Sequence, residues 1–378
     1  MNPEIKEIRK LFPVTEKWIY LYNGGINACP KPVGEAMRSF LKEWENGGRD
    51  AWPPAFQEFM ELKSAFAKLI NADGSRVMIT ESTTAAINLA ADIIQPQKDQ
   101  NVIVTELEFM SDTYPWIVCH PAEVRFVPEK NGRIYENEID ELIDNKTAVF
   151  SISAVAVGSG YRADLNTIHE RISSHNIPLM VDGAQAIGVV PIDVIEPEID
   201  FLVCTASKWL FGPAGIGFLY IGERFINSDP PNVGWLAAKN RSEWDLREPV
   251  LYEDAMRFQG GIPNLIGAVG ALAGIRLIEE IGIDFISQRI EELTTCVIEG
   301  LESLGVEIWT PREKNQRAGI VFFKHPAAKE LYKTLQNEKI YTGNFLDGIR
   351  VDIHFFNTED EINKTLEIIG GFEANQKT

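Results

Sequence analysis

The sequence has only four cysteines among its 378 residues, and they do not form a motif. They lack the Cys-x-x-Cys spacing that is typical of zinc sites and redox motifs. We therefore expect free thiols in a reducing compartment. His169 and His175 show no spacing to other candidate ligands, so the sequence predicts no metal site. The cysteines are Cys29, Cys119, Cys204 and Cys296.

Long apolar runs are absent as well. No run approaches the roughly 20 apolar residues of a membrane-spanning helix. Residues 1–13 are charged and lack the apolar core of a signal peptide. We therefore expect a cytoplasmic protein that does not cross a membrane.

Basic residues are outnumbered, with 36 Lys and Arg against 55 Asp and Glu, and the net charge is −19. This balance argues against nucleic acid or an anionic membrane as a partner. A small acidic ligand remains compatible, because a pocket can be locally basic in an acidic protein. The 45% of hydrophobic residues and 24% of charged residues are typical of a soluble globular protein. The length favours two or three domains.

Residues 178–221 contain the most informative pattern in the chain. Three short apolar runs bounded by turn residues are typical of buried strands. The first run ends in Asp182, and the second is followed closely by Lys208. In open α/β sheets, ligands bind beyond the carboxyl ends of strands, so we expect Asp182 and Lys208 to converge on a ligand. The runs are residues 178–181, 201–204 and 216–221.

A carboxylate and an amine at this place suit pyridoxal phosphate. That cofactor forms a Schiff base with a lysine, and a carboxylate keeps its pyridine nitrogen protonated. Lys208 would be the amine, Asp182 the carboxylate and Gln185 a hydrogen-bond partner of the ring oxygen. Taken singly, each charged residue is better explained as ordinary solvated surface. Their order and context together favour the cofactor.

A candidate phosphate site lies nearer the N-terminus. A predicted strand at 77–80 leads into Ser82, Thr83 and Thr84, which begin an apolar helix. Free amides and the helix dipole at such a start favour a phosphate. An ordinary Ser/Thr N-cap explains the same residues, so both interpretations stay open.

The sequence VDGAQAIGVVPID, followed by SKWLFGPAGIGFLY, resembles the class V aminotransferase family of pyridoxal-phosphate enzymes. The resemblance covers nearly the whole chain. It implies a fold type I α/β architecture, with a large domain at 16–263 built on a mostly parallel sheet. A smaller α+β domain would comprise residues 264–378 and 1–15. The resemblance also implies pyridoxal 5′-phosphate as the cofactor, an amino acid as the substrate, and a homodimer with shared active sites.

The resemblance implies further roles for single residues. Phe109 matches the aromatic residue that lies over the pyridine ring, and Thr84 matches the phosphate-binding threonine most closely. Gly261 and Ile262 match a loop that reaches the neighbouring subunit's phosphate, although isoleucine replaces the usual threonine. Asn27 lies in a turn that matches a loop lining the substrate pocket in the family, and a plain structural turn is the alternative interpretation. The implied cofactor-binding set is Ser82, Thr83, Thr84, Phe109, Asp182, Gln185, Thr205, Ser207, Gly261 and Ile262.

Arg350 is the candidate residue for the substrate's α-carboxylate. The family uses an arginine at this position, and a guanidinium can hold a carboxylate at two points. Alternation over residues 349–355 buries one set of side chains and turns Arg350, Asp352 and His354 to the other face. A surface Arg350–Asp352 pair is the plainer alternative.

An aminotransferase is the favoured activity, with a carbon–sulfur or carbon–carbon β-lyase as the close alternative and an epimerase after it. Lys208 would move the protons in each case. A persulfide-forming cysteine desulfurase is disfavoured, because residues 339–348, KIYTGNFLDG, contain no cysteine. A binding protein without catalysis is disfavoured by the presence of both Lys208 and Asp182. A dinucleotide-binding oxidoreductase is disfavoured because the glycine-rich run 212–217 precedes a strand.

Overall fold

The computed structural model describes residues 3–376, and its main feature is a seven-stranded mixed sheet. The strand order is β2-β8-β7-β6-β5-β3-β4, and only β8 runs against its neighbours. The parallel strands therefore end at one edge of the sheet, where ligands bind in such folds. The strands are β2 Val77–Thr80, β3 Asn101–Thr105, β4 Glu123–Val127, β5 Thr147–Ser153, β6 Leu179–Asp182, β7 Phe201–Thr205 and β8 Gly217–Ile221.

Helices cover both faces of this sheet. Alternate residues of one strand contact different apolar clusters: Val77 and Ile79 lie in one, and Met78 lies in the other. This period of two follows from the pleat of a strand, and it explains why the strands read as continuous apolar runs. The helices of this part of the chain are α1 Pro3–Arg9, α2 Lys31–Gly47, α3 Trp52–Leu69, α4 Thr83–Ile94, α5 Met110–Tyr114, α6 Leu165–Ser173 and α7 Leu265–Ile281.

The C-terminal part of the chain has a separate apolar core. An antiparallel sheet of order β11-β12-β9 packs against helices, and its core includes Leu293, Val321, Leu331 and Val351. The N-terminal strand β1, Ile19–Tyr20, pairs in parallel with β10 of this part. The remaining elements are α8 Ile283–Ser303, β9 Ile320–Lys324, α9 Ala328–Asn337, β10 Ile340–Tyr341, β11 Gly343–Phe345, β12 Gly348–Asp352 and α10 Glu359–Gln376.

The expected α/β fold class is confirmed by this architecture, whereas the predicted domain limits remain a prediction. Two elements near those limits associate across them. Strand β1 belongs to the predicted large domain but pairs with β10, and helix α7 belongs to the predicted small domain but packs on α2 and α3. The sequence also predicts a helical segment near residues 136–144 and a strand at 306–309, and both predictions are wrong. Residues 136–144 form one short 3-10 turn, Glu136–Glu138, and residues 306–309 contribute only an isolated bridge from Ile308 to Phe323.

A tight hairpin joins β11 to β12 in the region where a desulfurase would carry its cysteine. Phe345 pairs with Gly348, so only Leu346 and Asp347 form the turn. Both turn residues have positive φ, 51° and 53°, as a type I′ turn requires. The strands thus leave no extended loop between Phe345 and Gly348.

Of the helices in residues 3–376, none is long and apolar enough to cross a membrane.

Candidate active site

Lys208 and Asp182 lie where two neighbouring parallel strands end. Asp182 is the last residue of β6 and is nearly buried, at 9% exposure. Its Oδ1 accepts a hydrogen bond from the Ala184 amide at 2.7 Å. Lys208 follows the end of β7 in a turn and is half-buried. The topology therefore brings together the two residues that the sequence singled out.

Burial and mutual attraction have opposite effects on the pKa of each member of this pair. Burial lowers the pKa of Lys208, and the nearby Asp182 partly opposes that shift. Burial also raises the pKa of Asp182, with Lys208 as the largest opposing influence. A lysine with a lowered pKa has more of its neutral, nucleophilic form near neutral pH. The site therefore favours an amine that can attack a carbonyl carbon.

The turn that carries Lys208 is held rigidly from several sides. The Ala206 amide donates to the Ile216 carbonyl at 3.0 Å, and the Gly212 amide donates to the Ala206 carbonyl at 2.8 Å. Asn27 holds the same turn twice: its backbone amide donates to the Ser207 carbonyl at 3.1 Å, and its Nδ2 donates to the Gly212 carbonyl at 2.7 Å. Asn27 thus has a structural role here, and its contact with substrate remains a prediction.

Gln185 is buried beside the pair and has most of its side-chain hydrogen bonds satisfied. Its Oε1 accepts from Trp209 Nε1 at 2.8 Å, and its Nε2 donates to the Gly24 carbonyl at 3.0 Å. A primary amide has two N–H donors, so one remains for a ligand oxygen. Gly24 is required at this contact, because a Cβ there would lie 2.8 Å from Gln185 Oε1 and 2.9 Å from Asp352 Oδ2.

The start of helix α4 combines an N-cap with spare donors. Ser82 is the N-cap, and its hydroxyl accepts from the Ala85 amide at 3.1 Å. The amides of Thr83 and Thr84 follow, and first-turn amides have no partner within a helix. The Thr83 hydroxyl is buried without a hydrogen-bond partner in the described part of the chain. The capping interpretation therefore holds for Ser82, while Thr83 and both amides fit an oxyanion.

Four more hydroxyls belong to this candidate site. Thr84 Oγ1 lies 2.8 Å from Ser111 Oγ, which connects α4 to α5. Thr205 Oγ1 and Ser207 Oγ lie 3.1 Å apart, just before Lys208. Hydroxyls and helix-start amides are the donors that bind phosphate groups in proteins. Together with Lys208 and Asp182, this donor set fits pyridoxal phosphate. The assignment of single residues to the phosphate remains a prediction.

Two carboxyl groups that the sequence analysis missed lie beside Asp182: Glu108 is half-buried, and Asp112 is buried. Glu108 accepts hydrogen bonds from Thr105 Oγ1 at 2.6 Å and from the Ser153 amide at 2.9 Å. Asp112 is 1% exposed, its Oδ2 has no hydrogen-bond partner in residues 3–376, and it lies within hydrogen-bonding reach of Asp182. Phe109, the N-cap residue of helix α5, lies between them in the sequence, and its side chain is 44% exposed.

Burial disfavours the charged form of all three carboxyl groups. Burial, more than any other cause, raises the pKa of Glu108 to about 7 and the pKa of Asp112 well above its ordinary value. Protonated Asp112 can donate to the Asp182 carboxylate, which keeps Asp182 the ionised member. The signal in the sequence that could have identified these carboxyl groups is their spacing: Glu108 and Asp112 are four residues apart, with Phe109 between them.

Arg350 belongs to strand β12, where it pairs with Asp352, and its guanidinium lies near Lys208. Alternation predicts that Arg350, Asp352 and His354 share the face opposite the buried one, and the prediction of an unburied face is wrong. Arg350 is 4% exposed, and Asp352 and His354 are fully buried. The strand separates the C-terminal core from the active site, so both of its sides are covered. Burial is also the main cause that raises the pKa of Asp352, whereas Arg350 opposes this shift.

The segment with Gly261 and Ile262 lies on the surface of the chain. The Ile262 side chain is 52% exposed, although it is apolar. The neighbouring Gly260 carbonyl accepts from the Leu236 amide at 3.1 Å, which ties the segment to the 3-10 turn Trp235–Ala237. An exposed apolar loop is compatible with the expected contact to a second subunit, which remains a prediction.

Comparison with known proteins identifies the family. The family model Aminotransferase class-V matches residues 19–363. The chain therefore belongs to the class V aminotransferase family, and the expected family of pyridoxal-phosphate-dependent enzymes is confirmed.

Individual relatives carry different activity names. A probable cysteine desulfurase of Pyrococcus abyssi is 28% identical over 96% of each chain. An uncharacterized aminotransferase of Bacillus subtilis is 24% identical over 96% of this chain and 97% of its own. The apo structure of a cysteine desulfurase from Thermococcus onnurineus superimposes with a TM-score of 0.89 at 26% identity, and 98% of each chain is covered.

Glu108 should make the stability of the cofactor-free protein depend on pH. The folded state keeps a proton on Glu108 up to pH about 7, whereas an unfolded chain releases it near its ordinary pKa of 4.5. The free energy of unfolding should therefore fall as pH rises through this window, by at most about 1.4 kcal/mol per pH unit. Glu108→Gln should remove this contribution, as measured by urea unfolding at a series of pH values.

The control variant is Glu35→Gln, at an exposed position on α2. It should leave the slope of stability against pH as it is in the wild type. An equal slope in wild type and Glu108→Gln would show that Glu108 is already ionised in the folded protein.

Proposed function

We propose that the protein is a pyridoxal-phosphate-dependent enzyme that acts on an α-amino acid, and that its activity is that of an aminotransferase. The observation that supports this most strongly is the pair of Lys208 and Asp182 at adjacent strand ends. The amine has a lowered pKa and the carboxylate faces it in a buried setting. This pair combines a nucleophilic amine with a fixed negative charge.

Pyridoxal phosphate, when bound, supplies an electron sink for the bond electrons at the substrate's α-carbon. Asp182 is suited to hold the proton on the pyridine nitrogen, because Lys208 and the Ala184 amide favour its ionised form. Lys208 would hold the cofactor through its amine, and once the substrate's amine has taken its place, the released amine would move a proton to and from the α-carbon. Asp112 is suited to orient Asp182 by donating to it.

The remaining residues would hold the ligand in place. Thr83, Thr84, Thr205 and Ser207 supply hydroxyls, and Thr83 and Thr84 supply helix-start amides for the phosphate. Phe109 is placed before the helix that carries Asp112, with its ring half-exposed, and would cover the pyridine ring. Gln185 would donate its spare N–H to the ring oxygen. Arg350 would bind the substrate's α-carboxylate.

A carbon–sulfur β-lyase is the second candidate, and the β11–β12 hairpin favours it over a desulfurase. A persulfide-forming enzyme needs a cysteine that can reach the substrate's sulfur. The two turn residues of the hairpin are Leu346 and Asp347, so no thiol is available there. Relatives that carry the name desulfurase still suggest sulfur-containing substrates. A lyase would use Lys208 for the same proton transfers and release its sulfur product into solution.

A homodimer in the cytoplasm belongs to this proposal. Exposed apolar side chains occur at Ile262 and around the connected segment, where Trp235 is 52% and Trp244 is 82% exposed. Water contact with such side chains is unfavourable, and contiguous apolar surface marks interaction sites. A second copy of the chain would cover them and bring Ile262 to the partner's phosphate site.

Lys208 should be the residue that binds the cofactor covalently. The purified protein should be yellow with pyridoxal phosphate, and borohydride should fix the cofactor on the peptide that contains Lys208, as read by mass spectrometry. Lys208→Ala should take up no covalent label, because the site then has no amine at the end of β7. Lys63→Ala, which removes another buried lysine, is the matched control and should be labelled like the wild type.

Two results would contradict this assignment. One is a label on a different lysine in the wild type. The other is a protein that stays colourless with added pyridoxal phosphate although it is folded by circular dichroism.

The proposed dimer predicts a sedimentation mass of about twice the 42.4 kDa chain. Ile262→Asp should shift the equilibrium towards the monomer, because a charge would then be buried in the interface. Ile195→Asp, at an exposed apolar position in the segment between β6 and β7, serves as the control. A wild type that sediments as a fully active monomer would refute the shared-site arrangement.

A further inference from the structure

Asp352 already occupies one edge of the guanidinium that is proposed to bind the substrate. Arg350 Nη2 donates to Asp352 Oδ2 at 2.8 Å, and Arg350 Nε lies 2.7 Å from Oδ1. The second contact is short but its angle departs from hydrogen-bond geometry, so we count it as an ion pair. Both side chains are almost completely buried. Asp352 therefore lies where a substrate carboxylate could otherwise form a side-on pair.

The free donors of Arg350 follow from its contacts. A guanidinium has five N–H groups. Nε and one N–H of Nη2 face Asp352, and one N–H of Nη1 donates to the Val157 carbonyl at 3.2 Å. One N–H on each terminal nitrogen is left without an acceptor among residues 3–376. These two groups are the donors that remain for a substrate carboxylate.

Aromatic rings limit the movement of the guanidinium further. Its central carbon lies 5.6 Å from the centroid of the Tyr22 ring and 5.1 Å from that of the Phe345 ring. Such distances allow cation–π attraction. Phe345 belongs to the tight β11–β12 hairpin, which cannot swing away as a long loop could. Arg350 is thus held in one orientation by a carboxylate, a carbonyl and two rings.

The charge of Asp352 has a consequence for any carboxylate that approaches. Two carboxylates that share one buried guanidinium repel each other, and this repulsion is poorly screened in a buried site. A substrate carboxylate therefore binds against the negative charge of Asp352. Without that charge, Arg350 would be a buried cation with no counter-ion and would bind a carboxylate more tightly.

We propose that Asp352 is a specificity-determining residue. It confines the substrate's carboxylate to the two remaining N–H groups on the terminal nitrogens of Arg350. It also lowers the affinity of Arg350 for that carboxylate. This inference rests on the proposed function, in which Arg350 binds an α-amino acid. The substrate class that fits is an amino acid with a single carboxylate near the α-carbon, since a second one would add to the repulsion.

The test compares two stable ligands that differ only in the carboxylate. Phosphopyridoxyl-L-alanine and phosphopyridoxyl-ethylamine, both made by borohydride reduction, share the cofactor part. Their dissociation constants from the cofactor-free, full-length protein can be measured by calorimetry in competition with pyridoxal phosphate. The ratio of the ethylamine constant to the alanine constant then reports the contribution of the carboxylate, without any catalysis.

Asp352→Asn keeps the shape of the side chain and removes its charge. The ratio should rise at least about tenfold over the wild type, while the ethylamine adduct should bind with nearly unchanged affinity. Asp352→Ser should raise the ratio in the same direction and serves if the asparagine variant folds poorly. Arg350→Lys, which has no fork, should lower the ratio.

Three outcomes distinguish the possible failures. An unchanged or lower ratio in both Asp352 variants would overturn the role of Asp352. Equal weakening of both adducts would mean that Asp352 only supports the fold, which also overturns it. If neither adduct nor pyridoxal phosphate binds the wild type, the proposed function fails as well.

Discussion

The buried attraction between Lys208 and Asp182 is the interaction on which the site depends. Each group alone would be driven towards its neutral form by burial, as the opposite shifts of their pKa values indicate. The parallel pairing of β6 and β7 places them together without any need for a flexible loop. The turn after β7 is then held by Asn27 and by hydrogen bonds to Ile216 and Ala206.

Carboxyl groups are concentrated around this pair. Glu108 and Asp112 lie beside Asp182, and Asp352 lies beside Arg350. Burial raises the pKa of Asp112 and favours its protonated form, whose proton can be donated to Asp182. Asp352 forms an ion pair with Arg350 and balances its positive charge. The result is a site in which each cation has one ionised partner before any ligand arrives.

The two strand-end residues could be predicted from sequence because strand boundaries are local. Apolar runs and turn residues locate the ends of β6 and β7, and parallel strands end together. The Asp352–Arg350 geometry could not be predicted in the same way. Alternation indicates which side chains share a face, but burial of the second face depends on packing between the C-terminal core and the sheet. Glu108 and Asp112 were missed because their burial depends on contacts with Ser153 and Asp182, which are distant in sequence.

The central claim is that Asp182 remains ionised in its buried place and holds a proton on the pyridine nitrogen. Nitrogen NMR of the protein loaded with isotope-labelled pyridoxal phosphate measures that proton directly. We expect a protonated pyridine nitrogen in the wild type and an unprotonated one in Asp182→Asn, at the same pH and with the cofactor bound in both. An unprotonated nitrogen in the wild type would contradict the account, because Asp182 would then supply no charge to the cofactor.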